Sequence, residues 1–120
     1  MEKERVARRL LGGMNTSEAY ELLSLALRRY RNAPYRSLVK RIAKGVDARK
    51  IRGPSGVEYA IEIQVYWDRL PEGDLMVLGA VDDGRLAGSR KPLCDDFIMS
   101  PDGLIRSSGE DDCAAKASHE

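Results

Sequence analysis

The alternation of apolar and polar positions is most regular between residues 57 and 67. Because successive side chains of a β-strand point to opposite faces of a sheet, this period of two predicts a strand with one buried face and one largely solvated face. The predicted buried face carries Val57, Tyr59, Ile61, Ile63, Val65 and Trp67. The opposite face carries Glu58, Ala60, Glu62, Gln64 and Tyr66.

Two helical patterns precede this strand. Apolar residues recur at spacings of three and four between residues 19 and 30 and again between residues 35 and 46, which predicts two amphipathic helices. Asn15 is predicted to cap the first helix, with Glu18 as the partner acid three residues later. Pro34 separates the two helices, because proline disfavours helical geometry in the residue before it.

Turn sequences divide the rest of the chain into further short strands. The predicted strands occupy residues 50–52, 75–81, 93–99 and 104–106. The segment 75–81 is apolar on both faces, which indicates a central strand. Gly53-Pro54-Ser55-Gly56 and Asp82-Asp83-Gly84 have the composition of turns. The fold class predicted from this order is α+β, with two N-terminal helices packed on one face of a four- to five-stranded antiparallel meander sheet.

Length and composition favour one folded domain with a flexible N-terminal arm and a disordered C-terminal tail. The chain has 120 residues, of which 42% are hydrophobic and 32% are charged, as in a globular protein with a single core. Residues 1–14 are predicted to be a flexible or short helical arm, and residues 15–106 the domain. Residues 107–120 consist mostly of small and charged residues and are predicted to be disordered.

Several function classes are disfavoured by what the sequence lacks. The longest apolar run, residues 75–81, is far shorter than the about 20 residues of a membrane-spanning helix, so no membrane association is expected. The N-terminus has no apolar signal region, which predicts a cytoplasmic protein with Cys94 and Cys113 as free thiols. His119 is the single histidine and lies in the tail, and no phosphate-binding glycine motif occurs. We therefore expect a protein without cofactor, bound metal or catalytic residues.

Positive and negative charges are segregated along the chain, although the formal net charge is only +1. Residues 28–52 contain ten Lys or Arg residues and a single acid, Asp47, and so carry a net charge of +9. Residues 53–120 carry a net charge of −8. A basic helical segment is what contact with nucleic-acid phosphates requires. The residues predicted to bind nucleic acid are Arg28, Arg29, Arg31, Arg36, Lys40, Arg41 and Lys44.

The same charges have a simpler explanation, in which the basic helices lie beside the acidic loops of their own sheet or form a solvated face. Nucleic-acid binding is therefore the second hypothesis. The leading hypothesis is a non-enzymatic protein-interaction module, a homodimer or an adaptor, because the strand at 75–81 needs a cover on both faces. The predicted partner-binding residues on the polar face of the sheet are Glu58, Glu62, Gln64, Tyr66, Met76 and Leu78.

A third hypothesis uses the carboxylates of the sheet and its turns. Several acidic side chains meeting at one point are able to hold a divalent cation and support a metal-dependent hydrolase. The acids considered are Glu62, Asp82, Asp83, Asp95 and Asp96. Aspartates at these positions are also ordinary turn residues, which is the simpler interpretation.

Overall fold

The computed structural model describes residues 16–82 and 93–108. Helix α1 (Thr16–Arg31) and helix α2 (Tyr35–Ile42) are followed by five strands. The strands are β1 (Asp47–Arg52), β2 (Glu58–Trp67), β3 (Leu75–Asp82), β4 (Leu93–Met99) and β5 (Ile105–Arg106). They form one antiparallel sheet in the order β1-β2-β3-β4-β5, which confirms the predicted α+β meander.

Helix α1 packs its apolar stripe against the middle of the sheet. Ala19, Leu23 and Leu27 are fully buried, and Tyr30 at the end of the stripe is 5% exposed. Three arginines occupy the last turn, where positive charge interacts favourably with the negative end of the helix dipole. The helix makes contact with β3 and β4, and α2 lies beside it over β2.

Helix α2 ends at Ile42, earlier than the pattern over residues 35–46 predicts. The chain tightens there into bonds between residues three apart, from Lys44 N to the Arg41 carbonyl at 3.0 Å and from Gly45 N to the Ile42 carbonyl at 3.4 Å. Gly45 then adopts φ +79°, a left-handed conformation that turns the chain toward β1.

The helices cover the face of the sheet that the sequence indicates. Tyr59, Ile61 and Ile63 are at most 2% exposed, and Trp67 packs against the same core. Gly79 of β3 lies directly beneath α1, where a Cβ atom would come within 2.9 Å of Leu23 Cδ1. Its missing side chain therefore allows helix and sheet to approach closely.

One buried carboxylate joins the start of α1 to the β1–β2 turn. Glu18 is only 9% exposed and accepts hydrogen bonds from Ser55 N at 2.9 Å, Ser55 Oγ at 2.5 Å and the Tyr59 hydroxyl at 2.8 Å. A Cβ atom on Gly53 would lie 2.6 Å from Glu18 Cδ. Glu18 thus anchors the turn at residues 53–56, whereas Asn15, its predicted capping partner, lies outside the described residues.

Other sequence predictions need correction or lie outside the described residues. Strand β1 starts at Asp47, three residues before the predicted strand, because antiparallel pairing with β2 extends to Asp47 opposite Ile63. Cys94 is disulfide-bonded, so its prediction as a free thiol is wrong. The predicted arm at 1–14, the turn at Asp83 and nearly all of the predicted tail lie outside the described residues. Within the described ranges, neither helix is long and apolar enough to cross a membrane.

Candidate functional site

The topology brings three basic elements together at the β1 edge of the sheet. The last turn of α1 carries Arg28, Arg29 and Arg31, α2 carries Lys40 and Arg41, and β1 is the strand at this edge. Because α2 lies over β2 and the chain then returns as β1, residues far apart in sequence become neighbours. Cations from different parts of the basic segment therefore lie close together at this edge.

A pocket of about 200 Å³ opens where these three elements meet. Three arginines, two hydroxyl-bearing side chains and one carboxylate are among the groups that line it. Its lining consists of Arg29, Tyr30, Ala33, Ser37, Leu38, Arg41, Asp47 and Arg49. We refer to it as the arginine pocket. Of its arginines, Arg29 and Arg41 belong to the residues that the sequence predicts to bind nucleic acid.

A chain of contacts holds the wall of the arginine pocket in place. The Tyr30 hydroxyl donates to Asp47 Oδ2 at 2.5 Å, and Arg49 Nη2 donates to the same oxygen at 3.1 Å and to Oδ1 at 3.3 Å. The Arg41 guanidinium lies over the Tyr30 ring, 5.3 Å from its centroid. Tyr30 therefore links a cation on α2 to an ion pair on β1.

These contacts shift the pKa values of Tyr30 and Asp47, the two partners of the 2.5 Å hydrogen bond. Burial, together with the hydrogen bond to Asp47, raises the pKa of Tyr30 to about 12. The bond donated by Tyr30 and the nearby Arg49 guanidinium lower the pKa of Asp47. At neutral pH the tyrosine is neutral and the carboxylate ionised. Three guanidinium groups and one carboxylate then leave the pocket with two surplus positive charges.

Two of the predicted nucleic-acid-binding residues interact with acids of the sheet and its loops. Arg31 Nη2 lies 3.5 Å from Asp95 Oδ2, and its guanidinium stands 5.1 Å from the centre of the Phe97 ring. Arg36 Nη1 lies 3.3 Å from Glu72 Oε1 in an exposed pair. These two arginines fit the simpler explanation, in which the fold neutralises its own charges.

The other five residues predicted to bind nucleic acid form no ion pair with an acid of the described residues. In residues 16–82 and 93–108, no ion pair joins a carboxylate to any of five basic side chains. These are Arg28, Arg29, Lys40, Arg41 and Lys44, and we call them the basic surface. All of them except the half-buried Arg41 are exposed.

The sequence patterns missed four contributors to the arginine pocket. Tyr30 is predicted only as a core residue, Asp47 only as the one acid in a basic segment, and Ser37 and Arg49 are not singled out. Arg49 alternates with Ile51 on the helix-covered face of β1, which is the one local signal that places it beside the helices.

The polar face of the sheet is less open than the interaction hypothesis requires. Met76 and Leu78 are only 6% and 7% exposed in the single chain. Tyr66 pairs with Met76 and Gln64 with Leu78 across β2 and β3, and both polar side chains are half-buried. Of the predicted partner-binding residues, Glu58 and Glu62 are fully on the surface. Lys50 and Arg52 of β1 lie on the same face and are also exposed, so the exposed part of this face is charged rather than apolar.

The carboxylates of the third hypothesis are divided between the two faces of the sheet. Asp95 lies on the face that the helices cover, opposite Gly79, whereas Asp96 points to the other face, opposite Leu78. Glu62 and Asp82 share that other face, and Asp83 lies outside the described residues. No three acidic, cysteine or histidine side chains in the described parts of the chain are grouped to hold a metal ion.

Comparison with known proteins gives no match: no family model fits the sequence, and no curated protein or solved structure is significantly similar to it. Functional inference therefore depends on the geometry of the described residues.

Proposed function

We propose that this protein binds nucleic acid through the basic surface. The observation that carries the proposal is that these five cations, on two adjacent helices and the turn after them, form no ion pair with a carboxylate of the described residues. Lys and Arg side chains that neutralise phosphates release condensed counterions, and this release supplies affinity that does not depend on base sequence.

The distribution of charge also favours one orientation of a polyanion. Residues 28–52 carry a net charge of +9, whereas residues 53–120 carry −8. A nucleic acid is attracted to the first segment and repelled by the second, so encounter is steered toward the β1 edge. The two arginines that pair with Asp95 and Glu72 contribute less to this attraction.

The other two hypotheses receive less support from the geometry. A protein-interaction module was expected because Met76 and Leu78 needed a cover, and both are already buried in one chain. A metal-dependent hydrolase needs converging carboxylates, and Asp95 and Asp96 point to opposite faces. Neither hypothesis is proposed further.

The test is a fluorescence anisotropy titration of labelled random duplex and single-stranded oligonucleotides over a range of salt concentrations. We expect binding at low salt and a linear fall of log K with log salt concentration, with a slope of about −0.9 per duplex phosphate contact and about −0.7 per single-strand contact. The double variant Arg28→Gln/Lys40→Gln should reduce the magnitude of the slope by about 2.

A charge-matched control separates local contacts from net charge. Arg69→Gln/Arg106→Gln removes the same two positive charges outside the basic surface, Arg69 in the β2–β3 loop and Arg106 on the opposite edge strand. This control should bind with nearly the wild-type slope. An equal loss in both double variants, or no binding by the wild type at low salt, would reject the proposal.

A further inference from the structure

We propose that the arginine pocket seats the terminal phosphate monoester of a nucleic-acid strand. This inference rests on the proposed function and names the group on the nucleic acid that the protein recognises. It is carried by the size of the pocket, by its surplus charge and by the way its donors are held.

The pocket is the right size for one phosphate group and its immediate neighbour. Its volume is about 200 Å³, well above the space that a single water molecule needs. That space accommodates a phosphate with part of the attached sugar. A strand bound along its backbone needs an extended groove, whereas a strand end needs a pocket of this kind.

The charge of the pocket matches a phosphate monoester better than an internal phosphodiester. Arg29, Arg41 and Arg49 together with Asp47 leave a surplus of two positive charges. A phosphate monoester carries about −1.5 to −2 at pH 7, whereas each internal phosphate of a strand carries about −1. Tyr30 adds no negative charge, because it remains protonated at neutral pH.

The donors are already oriented before a ligand arrives. Arg41 is held over the Tyr30 ring and Arg49 against Asp47, so both planar guanidinium groups have lost much of their freedom in the folded protein. Ser37 lies one helical turn before Arg41 on α2, so both side chains project from the same side of the helix. The Ser37 hydroxyl therefore adds a neutral hydrogen-bond donor next to the Arg41 guanidinium.

Asp47 is the one group in the pocket that opposes a phosphate. Its two oxygens accept hydrogen bonds from Tyr30 and Arg49, which hold the wall in place, but its negative charge repels an anion. Replacing it by Asn keeps a carbonyl acceptor for the tyrosine and removes this repulsion. Asp47→Asn should therefore bind the phosphorylated end more tightly, while Arg41→Gln should bind it more weakly.

The experiment compares one single-stranded oligonucleotide sequence carrying a 5′-phosphate, a 3′-phosphate or hydroxyl groups at both ends. We expect the wild type to prefer one phosphorylated form over the hydroxyl form by about tenfold, the size of effect that added hydrogen bonds between charged groups produce. Arg41→Gln should bring this ratio close to one. Lys44→Gln removes the same charge outside the pocket and should weaken all three forms while preserving the ratio.

Further measurements keep the outcome clear if Arg41→Gln is poorly folded. Ser37→Ala changes no charge and should lower the ratio by a few-fold, and Asp47→Asn should raise it. Equal binding of all three forms by the wild type would overturn the inference and leave the proposed function standing. A 5′-mononucleotide that binds as tightly as the phosphorylated strand would also overturn it, because the ligand would then be a free phosphate ester. Binding of the mononucleotide without any oligonucleotide binding would reject the proposed function.

Discussion

At the scale of single residues, two partly buried polar clusters connect parts of the chain that are distant in sequence. Glu18 at the start of α1 accepts hydrogen bonds from Ser55 and Tyr59, which are 37 and 41 residues away. Tyr30 at the end of the same helix donates to Asp47, 17 residues away. Polar groups that are removed from water need hydrogen-bond partners, and the two carboxyl groups have them, one at each end of α1.

The first residue-scale prediction concerns Gly53. Its Ala variant should lower the free energy of unfolding by about 1–3 kcal/mol, because the new Cβ atom overlaps a carboxyl group that is pinned by hydrogen bonds. In a Glu18→Ala background the obstacle is gone, so the same change should be nearly neutral. Urea denaturation of the four proteins measures this coupling, and an equal cost in both backgrounds would contradict the explanation.

The hydrogen bond between Tyr30 and Asp47 should make the stability of the fold depend on pH. The raised pKa of Tyr30 means that its contribution to stability is full below pH 10.0, the value for the unfolded chain, and is lost as the pH rises toward about 12. The lowered pKa of Asp47 means that its contribution is present above pH 3.8 and is lost as the pH falls further.

Tyr30→Phe should therefore cost about 1–2 kcal/mol of unfolding free energy at neutral pH and progressively less at both extremes. Urea denaturation at a series of pH values measures the difference from the wild type. Tyr20→Phe, at a tyrosine that is 43% exposed, is the control and should cost little at any pH. A constant cost for Tyr30→Phe from acid to alkaline pH would contradict this assignment.

At the scale of elements, the helices and strands follow the hydrophobic pattern closely, and the deviations have identifiable causes. The pattern predicts strand β2 over residues 57–67, and the strand spans Glu58–Trp67, because its period of two is sustained over its full length. Helix α2 is shorter than its pattern, since Gly45 takes a left-handed conformation and the 49% exposed Val46 contributes little to the buried stripe. Strand β1 is longer than its pattern, since its partner β2 continues to pair with it.

The packing of α1 on β3 gives an element-scale prediction. Gly79→Ala should destabilise the fold by about 1–3 kcal/mol, because its Cβ atom would meet the fully buried Leu23 at 2.9 Å and Leu27 at 3.3 Å. Leu23→Ala opens space at that point, so Gly79→Ala should cost less in this background. Thermal unfolding of the single and double variants tests this, and strictly additive costs would show that the leucine is not the obstacle.

At the scale of the whole molecule, the fold places Arg29, Arg41 and Arg49 around one pocket near the β1 edge, while Arg31 and Arg36 pair with acids of β4 and the β2–β3 loop. Apolar residues are covered on both sides of β3 within one chain, including Met76 and Leu78. Strand β1 carries Lys50 and Arg52 at the sheet edge, and like charges there oppose edge-to-edge pairing of two copies.

We therefore expect a monomer at tens of micromolar in sedimentation velocity, in contrast to the homodimer that is one of the two forms, homodimer or adaptor, predicted from the sequence. Lowering the salt concentration should not promote association, because repulsion between the basic edges then becomes stronger. A concentration-dependent dimer would contradict this prediction and would restore the interaction hypothesis.

The order of the elements, the buried face of β2 and the uneven distribution of charge along the chain are all readable from the sequence alone. These properties are local, since neighbouring residues within one turn or strand carry the whole pattern. Three properties depend on the tertiary fold: Arg29, Arg41 and Arg49 line one pocket, the Tyr30 hydroxyl donates to Asp47, and Met76 is covered in a single chain. These properties depend on how α2 lies over β2 and on the register of β1, which bring together residues that no local period relates.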